Sequence, residues 1–346
     1  MIHLKRAMLE GITGPNPALV KLQQALQSAI ELEHATIPVY LYALYSLDEH
    51  KNPEIAAIIE SVVIEEMLHM VLSCNVLNAI GGAPVIDSPG FIPTYPGPLP
   101  GGVEAELTVS LAPFSMDQLQ TFLTIEQPEN PIDFKAMAEA DTPITIGQFY
   151  DAISKAIGAL GQGIFVPGPY HQVGPELMDE AVVVTDVATA QQAIQTIVEQ
   201  GEGTSNSPLE IVGSGYAHYY RYMQIQKGHL LVPTSGGPDP ADDYAYSGAP
   251  VPFDASGVYA VPTNPGPYAP GTIAAFANDN FNYTYTALLG AIHQLVNGDA
   301  TTNQFNRALG LMMSLKGQAK AMMAGIPDPS VLTGPSFQYQ PVNPAT

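Results

Sequence analysis

Glu66 and His69 lie three positions apart in a long stretch of helical periodicity. In an α-helix, residues at i and i+3 share one face, so this carboxylate and this imidazole can hold the same metal ion. Glu33 belongs to a similar stretch just upstream, where it is the lone carboxylate in an apolar stripe. Carboxylate oxygen combined with imidazole nitrogen suits Fe(II) or Mn(II). These residue types and their spacing therefore indicate metal binding.

A second pair of candidate ligands, Glu202 and His218, stands further along the chain. A Glu followed by Glu-x-x-His, in two copies, is the ligand plan of a dinuclear carboxylate four-helix bundle. The chain departs from this plan at Gly215, which lies three residues before His218, where the plan has a Glu. Glu199 is the alternative ligand if Glu202 points to solvent.

The apolar periodicity predicts four bundle helices that would position these side chains, at about residues 17–47, 54–80, 187–202 and 214–227. A turn joins the first two helices, so antiparallel packing would place Glu33 beside Glu66. The same geometry would place Glu202 opposite His218 across the second hairpin. The predicted fold is therefore mainly α-helical, with the candidate ligands facing the interior of a bundle.

The remaining segments predict additions to that bundle within one domain, 1–346. Residues 82–185 have the mixed pattern of a long insertion of short helices, a strand and loops between the two hairpins. Residues 231–271 are rich in Pro, Gly, Asp and Tyr, which predicts a long loop or lid. Two extra helices are expected within 282–324.

Charge and composition disfavour several classes of partner. Acidic residues outnumber Lys and Arg by 33 to 11, giving a net charge of -22. Nucleic acid and anionic membrane surfaces are therefore poor partners. The chain has no run of about 20 apolar residues and no recognisable secretory signal, so we expect a cytoplasmic protein that spans no membrane. The single cysteine, Cys74, lies in an apolar run that predicts a buried, inert thiol.

A site without metal is the alternative for the first hairpin. Glu66 and His69 would then be a partly buried hydrogen-bonded pair, and Glu33 would lie in a salt bridge. Each buried carboxylate needs a neutralising partner, and this chain has few Lys and Arg to provide one. The composition therefore favours a metal cofactor, one or two ions of iron or manganese.

Several short motifs resemble the ferritin-like domain of the iminophenyl-pyruvate dimer synthase family. They are the segments 31–38, 65–70, 122–128, 145–150, 200–203 and 218–222. The resemblance runs from about residue 20 to 230 and implies a ferritin-like four-helix bundle. It also implies metal ligands at Glu33, Glu66, His69, Glu202 and His218. Gly215 and Gln224 depart from the family pattern, which has acids at these places.

Two functions follow as hypotheses. Family members couple two imines derived from aromatic 2-oxo acids, so the resemblance implies a metal-dependent oxidoreductase acting on a small organic substrate, imine or amino-acid derived. The alternative is a degenerate, non-catalytic binding or scaffold protein, which the departures at Gly215 and Gln224 motivate. Iron storage is a weaker third hypothesis, because the insertions would hinder cage packing. A homo-oligomer is a further expectation.

Overall fold

The computed structural model describes residues 4–101, 107–128, 145–168, 170–202, 215–234, 243–298 and 300–340, without the side chains of Arg6 and Glu202. Within these ranges the chain is mainly helical, which confirms the predicted fold class. The helices are α1 (Leu19–Tyr45), α2 (Pro53–Ala79), α3 (Met116–Ile125), α4 (Ile146–Leu160), α5 (Val187–Glu202), α6 (His218–Lys227), α7 (Ile273–Asn297) and α8 (Thr302–Met323). None of the described helices is long and apolar enough to cross a membrane.

The hairpin of α1 and α2 is the most extensively packed pair of helices in the fold. Pro53 opens α2 at a position where its missing N–H costs nothing, and Gly81 follows the end of that helix with φ +75. The second half of α1 is buried around nearly its whole circumference. α1 is so fully buried because other bundle helices cover one side of the hairpin, and α7 and α8 pack against a different side.

The helices α5 and α6 complete the bundle. The bounds of α5 agree with the predicted helix 187–202, but α6 begins at His218 rather than at about 214. Ala217 occupies the N-cap position of α6, so Gly215 lies outside the helix. Helical i, i+3 geometry therefore does not relate Gly215 to His218. The missing carboxylate must be sought elsewhere in space.

Two helices of the predicted insertion, α3 and α4, pack directly on the bundle. The Ser115 hydroxyl caps α3, and Thr145 with Gln148 forms a capping box at the start of α4. α3 packs on α6, whereas α4 packs on α5 and α1. The insertion therefore belongs to the bundle and can contribute residues to its interior.

The β-structure differs from the prediction in its position. In the described part of the insertion, strand pairing is limited to an isolated bridge between Gly97 and Val109. A two-stranded antiparallel hairpin instead follows α6, with β1 at His229–Pro233 and β2 at Tyr244–Pro250. The first part of the predicted loop 231–271 is therefore a hairpin.

The first of the two C-terminal helices is longer than predicted, since α7 begins at Ile273 rather than at 282. After α8 the chain returns along α7, and side chains of α7 accept hydrogen bonds from alternate backbone amides of this segment. The three pairs are Ser336 N to Asn278 Oδ1, Gln338 N to Asn282 Oδ1 and Gln340 N to Thr286 Oγ1, at 2.8, 3.0 and 2.7 Å. Between them, Phe337 is buried against the rings of Phe281 and Tyr285.

Candidate metal centre

The first group of candidate ligands comes from the α1–α2 hairpin. Glu33, Glu66 and His69 are all buried, and one ligand atom from each lies within 4.8 Å of the others. His69 Nδ1 is 3.5 Å from Glu33 Oε2. The Thr36 hydroxyl donates a hydrogen bond to Glu66 Oε2 at 3.0 Å, which orients that carboxylate. Antiparallel packing therefore brings Glu33 and Glu66 together, as the sequence predicted.

The second group shares Glu66 with the first and adds His218 and Glu126. His218 Nδ1 lies 3.0 Å from Glu66 Oε1 and 3.4 Å from Glu126 Oε2. Glu126 occupies the C-cap position of α3, so the insertion delivers it to the bundle interior. It supplies a carboxylate beside His218, the role that the sequence plan would have given to residue 215.

Each histidine is fixed from its outer side. His69 Nε2 lies 2.9 Å from Gln200 Oε1, and the Gln200 amide nitrogen in turn donates to Glu180 Oε2 at 2.6 Å. His218 Nε2 lies 3.1 Å from Glu65 Oε2, a carboxylate that can only accept. Both contacts require the proton on Nε2. In the neutral ring this tautomer leaves the Nδ1 lone pair facing the cluster, where a metal ion would compete with a proton for it.

The acidic side chains are oriented by buried tyrosines. The Tyr150 hydroxyl donates to Glu33 Oε1, and the Tyr40 hydroxyl donates to Glu126 Oε1. In both cases one carboxylate oxygen is held by a tyrosine, while the other faces a histidine. The hydroxyl of a third buried tyrosine, Tyr222, has no hydrogen-bond partner among the described residues.

The candidate ligands strongly perturb one another's pKa values. Burial, together with the nearby Glu126 carboxylate, raises the pKa of Glu66 to about 8. Burial also opposes ionisation of Glu33, but its contact with His69 outweighs this and lowers the Glu33 pKa. Burial would lower the pKa of His218, yet the surrounding carboxylates, Glu126 foremost, raise it well above the usual range. Three buried carboxylates thus face two imidazoles.

These residues fit a pair of divalent ions. His218 Nδ1 is close to two carboxylates but is aligned as a hydrogen-bond donor to neither, so this buried atom has no partner in the described chain. A metal ion would give it one and would also offset the carboxylate charge. Each group offers two carboxylates and one imidazole, with Glu66 common to both. Carboxylate oxygen together with imidazole nitrogen is a donor set compatible with iron or manganese.

The other residues named from the sequence belong to neither of these two groups or have side chains outside the described part of the chain. Glu202 ends α5, but its side chain is not described. Glu199 is buried and accepts a hydrogen bond from Gln195 Nε2 at 2.7 Å. The Gln224 side-chain oxygen accepts a hydrogen bond from Leu231 N at 2.9 Å. Gln224 therefore connects α6 to β1, which gives this departure from the family pattern a structural reason.

Sequence reasoning missed Glu126, Gln200 and Glu65. The segment that contains Glu126 contributed to the family resemblance, and an acid directly after a short helix, two residues before Pro128, was a usable signal. Glu65 directly precedes Glu66, and its other contact is an ion pair with Arg221 at 2.7 Å. Segment 200–203 also contributed to the family resemblance, but the contact of Gln200 with His69 depends on the packing of α5 against α2.

Comparisons with known proteins agree with this architecture. A family model described as Ferritin-like matches residues 26–227. The chain is 24% identical over 229 residues to the dichlorochromopyrrolate synthase of Lentzea aerocolonigenes, a match that covers 53% of this chain but 22% of that enzyme. A crystal structure of a ferritin-like protein from Caulobacter vibrioides superimposes with a TM-score of 0.62 at 23% identity, covering 93% of this chain and 99% of that one. The chain belongs to the ferritin-like family.

Proposed function

We propose that this protein is a dinuclear iron or manganese oxidoreductase that uses dioxygen to oxidise a small organic substrate. The observation that carries the proposal is the position of Glu66 in both groups of candidate ligands. A carboxylate with this placement can bridge two ions, as in other dinuclear carboxylate bundles. Glu33 and His69 would complete one ion's protein ligands, and Glu126 and His218 the other's.

The metal pair, when bound, would supply the electron transfer between substrate and dioxygen. The protein side chains would position the metal ligands. Gln200 and Glu65 hold the two imidazoles with Nδ1 inward, and Tyr40 and Tyr150 fix the outer oxygens of two carboxylates. In the overall reaction the substrate would lose two electrons and two protons, and dioxygen would be reduced to hydrogen peroxide.

A small cleft lies beside the two groups of candidate ligands and would let a substrate reach them from one side. Its volume is about 50 Å³, and apolar side chains make up much of its wall, among them Leu32, Ile125, Ile146, Ile197 and Val198. This space corresponds to roughly one or two water molecules. Dioxygen fits within it, but an organic substrate would require the cleft to widen. We infer that substrate approaches between α3, α4 and the end of α5.

The substrate class is proposed from the relatives. The chain is similar over part of its length to a dichlorochromopyrrolate synthase, and its motifs resemble a family that couples imines derived from aromatic 2-oxo acids. We therefore propose an imine or amino-acid-derived substrate. Residue 202 remains a proposed ligand from α5, in addition to the five side chains whose geometry is described.

The test is metal content and oxygen consumption after anaerobic loading with Fe(II). Wild-type protein is expected to retain about two ions per chain and to consume dioxygen with an imine substrate. Glu66→Gln should lose most of both ions, because it removes the shared carboxylate. Glu54→Gln is the matched control, since Glu54 is an exposed residue on the same helix.

Three outcomes would contradict the proposal. Wild-type protein that remains metal-free after loading would favour the non-catalytic scaffold. Full metal content in Glu66→Gln would show that the ions bind elsewhere. Protein that binds about two ions but does not consume dioxygen with any imine tested would retain the metal site and refute the oxidase assignment.

A further inference from the structure

A second, larger cavity lies between the α1–α2 hairpin and the C-terminal helices α7 and α8. Its volume is about 250 Å³, and most of its wall is aliphatic, thioether or aromatic. His34 and Met67 line it, and each directly follows a residue of the candidate metal centre, Glu33 or Glu66. Because consecutive helical side chains point about 100° apart, the cavity and the metal centre occupy different sides of the same hairpin.

His34, which lines the cavity, has a buried polar atom without a partner. His34 is 3% exposed, and its Nε2 lies 2.7 Å from the Tyr285 hydroxyl. Its Nδ1 has no hydrogen-bond partner in the described part of the chain. An unsatisfied buried nitrogen is costly, so a molecule that offers it a hydrogen bond would gain affinity. The remaining polar side chains of the wall include the ion pair of Lys316 with Glu60.

That ion pair argues against a charged occupant. Lys316 Nζ is already 2.8 Å from a Glu60 carboxylate oxygen and 3.5 Å from one of Glu49. An anionic ligand would therefore find no uncompensated cation in the described wall. Ile64, Leu309 and Met313 line the same cavity and are 45–63% exposed, so an apolar opening connects it to solvent.

The walls also suit ligands of variable shape. Met67, Met70, Met312 and Met313 all line the cavity, and methionine side chains adapt readily to an apolar surface. A closed apolar cavity of about 150 Å³ in another protein is large enough for benzene. At about 250 Å³, this one has room for a compact molecule of about two fused rings.

We propose that this cavity binds a neutral, compact apolar molecule with a single hydroxyl group, which hydrogen-bonds to His34 Nδ1. A hydroxyl group both donates and accepts, so it satisfies Nδ1 in either tautomer of the ring. A second copy of this chain is a poorer occupant. A flat helical surface would cover Leu309 and Met313 but would not reach His34 at the wall between the helices.

The test uses 2-naphthol as the probe and naphthalene as its counterpart without the hydroxyl. Titration calorimetry on metal-loaded protein should show one saturable site for 2-naphthol, with affinity at least about fivefold higher than for naphthalene, the effect of one hydrogen bond. Leu309→Trp should narrow the opening and weaken 2-naphthol binding at least tenfold. Asn306→Trp, at an exposed position on the same helix that does not line the cavity, should leave it unchanged.

His34→Phe provides a second variant, in which the preference for 2-naphthol over naphthalene should disappear. Glu66→Gln should bind both probes as wild type does, which separates this site from the metal centre. Absence of saturable binding to wild type, or equal binding to wild type and Leu309→Trp, would overturn the proposal. A dimer in sedimentation velocity that Leu309→Trp dissociates would assign the exposed apolar residues to a second copy instead.

Discussion

The imidazoles of His69 and His218 stack across the bundle interior, with ring centroids 5.3 Å apart and planes inclined by 22°. They come from α2 and α6, and both present Nδ1 to the buried carboxylates. Their Nε2 atoms contact chemically different groups, an amide in one case and a carboxylate in the other. The same ring orientation is thus produced by two independent contacts, so the protein fixes both nitrogens without help from a metal ion.

Glu126→Gln should reduce the metal content from about two ions per chain to about one. Glu126 belongs to only one of the two groups of candidate ligands, whereas Glu66 belongs to both. Elemental analysis after anaerobic iron loading measures the change. Asp117→Asn, an exposed residue in the first turn of the same helix, should keep wild-type content. Unchanged content in Glu126→Gln would remove the insertion from the site.

Gln200→Leu should weaken the ion held by His69 by about 10- to 100-fold, the usual effect of losing an outer partner of a ligating histidine. A leucine side chain cannot accept a hydrogen bond from His69 Nε2, so the His69 imidazole loses the contact that fixes its tautomer. Competition with a coloured chelator measures the affinity. Gln192→Leu, an exposed residue on the same helix, is the matched control. Equal affinities for the two variants would contradict the assigned role.

Tyr40→Phe and Tyr222→Phe should affect stability differently, although both remove one buried hydroxyl. Tyr40 donates a hydrogen bond to Glu126, whereas the Tyr222 hydroxyl has no partner among the described residues. Loss of a hydrogen bond to a charged group costs about 1.5–3 kcal/mol, whereas loss of an unpaired hydroxyl is neutral or stabilising. Urea unfolding of the metal-free protein tests this difference. A destabilisation of Tyr222→Phe equal to that of Tyr40→Phe would refute it.

Helical periodicity was sufficient to predict the first hairpin and the proximity of Glu33, Glu66 and His69, because all three depend on local spacing and one short turn. It failed for Glu126, which reaches the site through the packing of α3 on α6. Helical periodicity relates residues a few positions apart and does not predict which distant helices pack together. The prediction that Gly215 lies in the same helix as His218 was wrong, because α6 begins at His218 and position 215 is not helical.

The Cys74 thiol should react slowly with a chromogenic disulfide in the native protein and quickly after denaturation, releasing one equivalent per chain. Burial raises its pKa above the ordinary range, so the folded protein keeps the thiol protonated. The unfolded chain ionises this thiol above about pH 8.5. This group therefore reduces stability as pH rises above that value. Rapid native labelling would contradict the buried assignment.

The hydrogen bonds between α7 and the C-terminal segment have a consequence for the larger cavity. The amides of Ser336 and Gln338 are both fixed to α7, and Phe337 between them is held at φ +49, an uncommon conformation for a large side chain. Phe337 also lines the cavity. Part of the cavity wall is therefore formed by Phe337, a residue outside the helices α1 to α8. Exchange of that single side chain can change which molecules the cavity admits while the bundle and its metal ligands stay as they are.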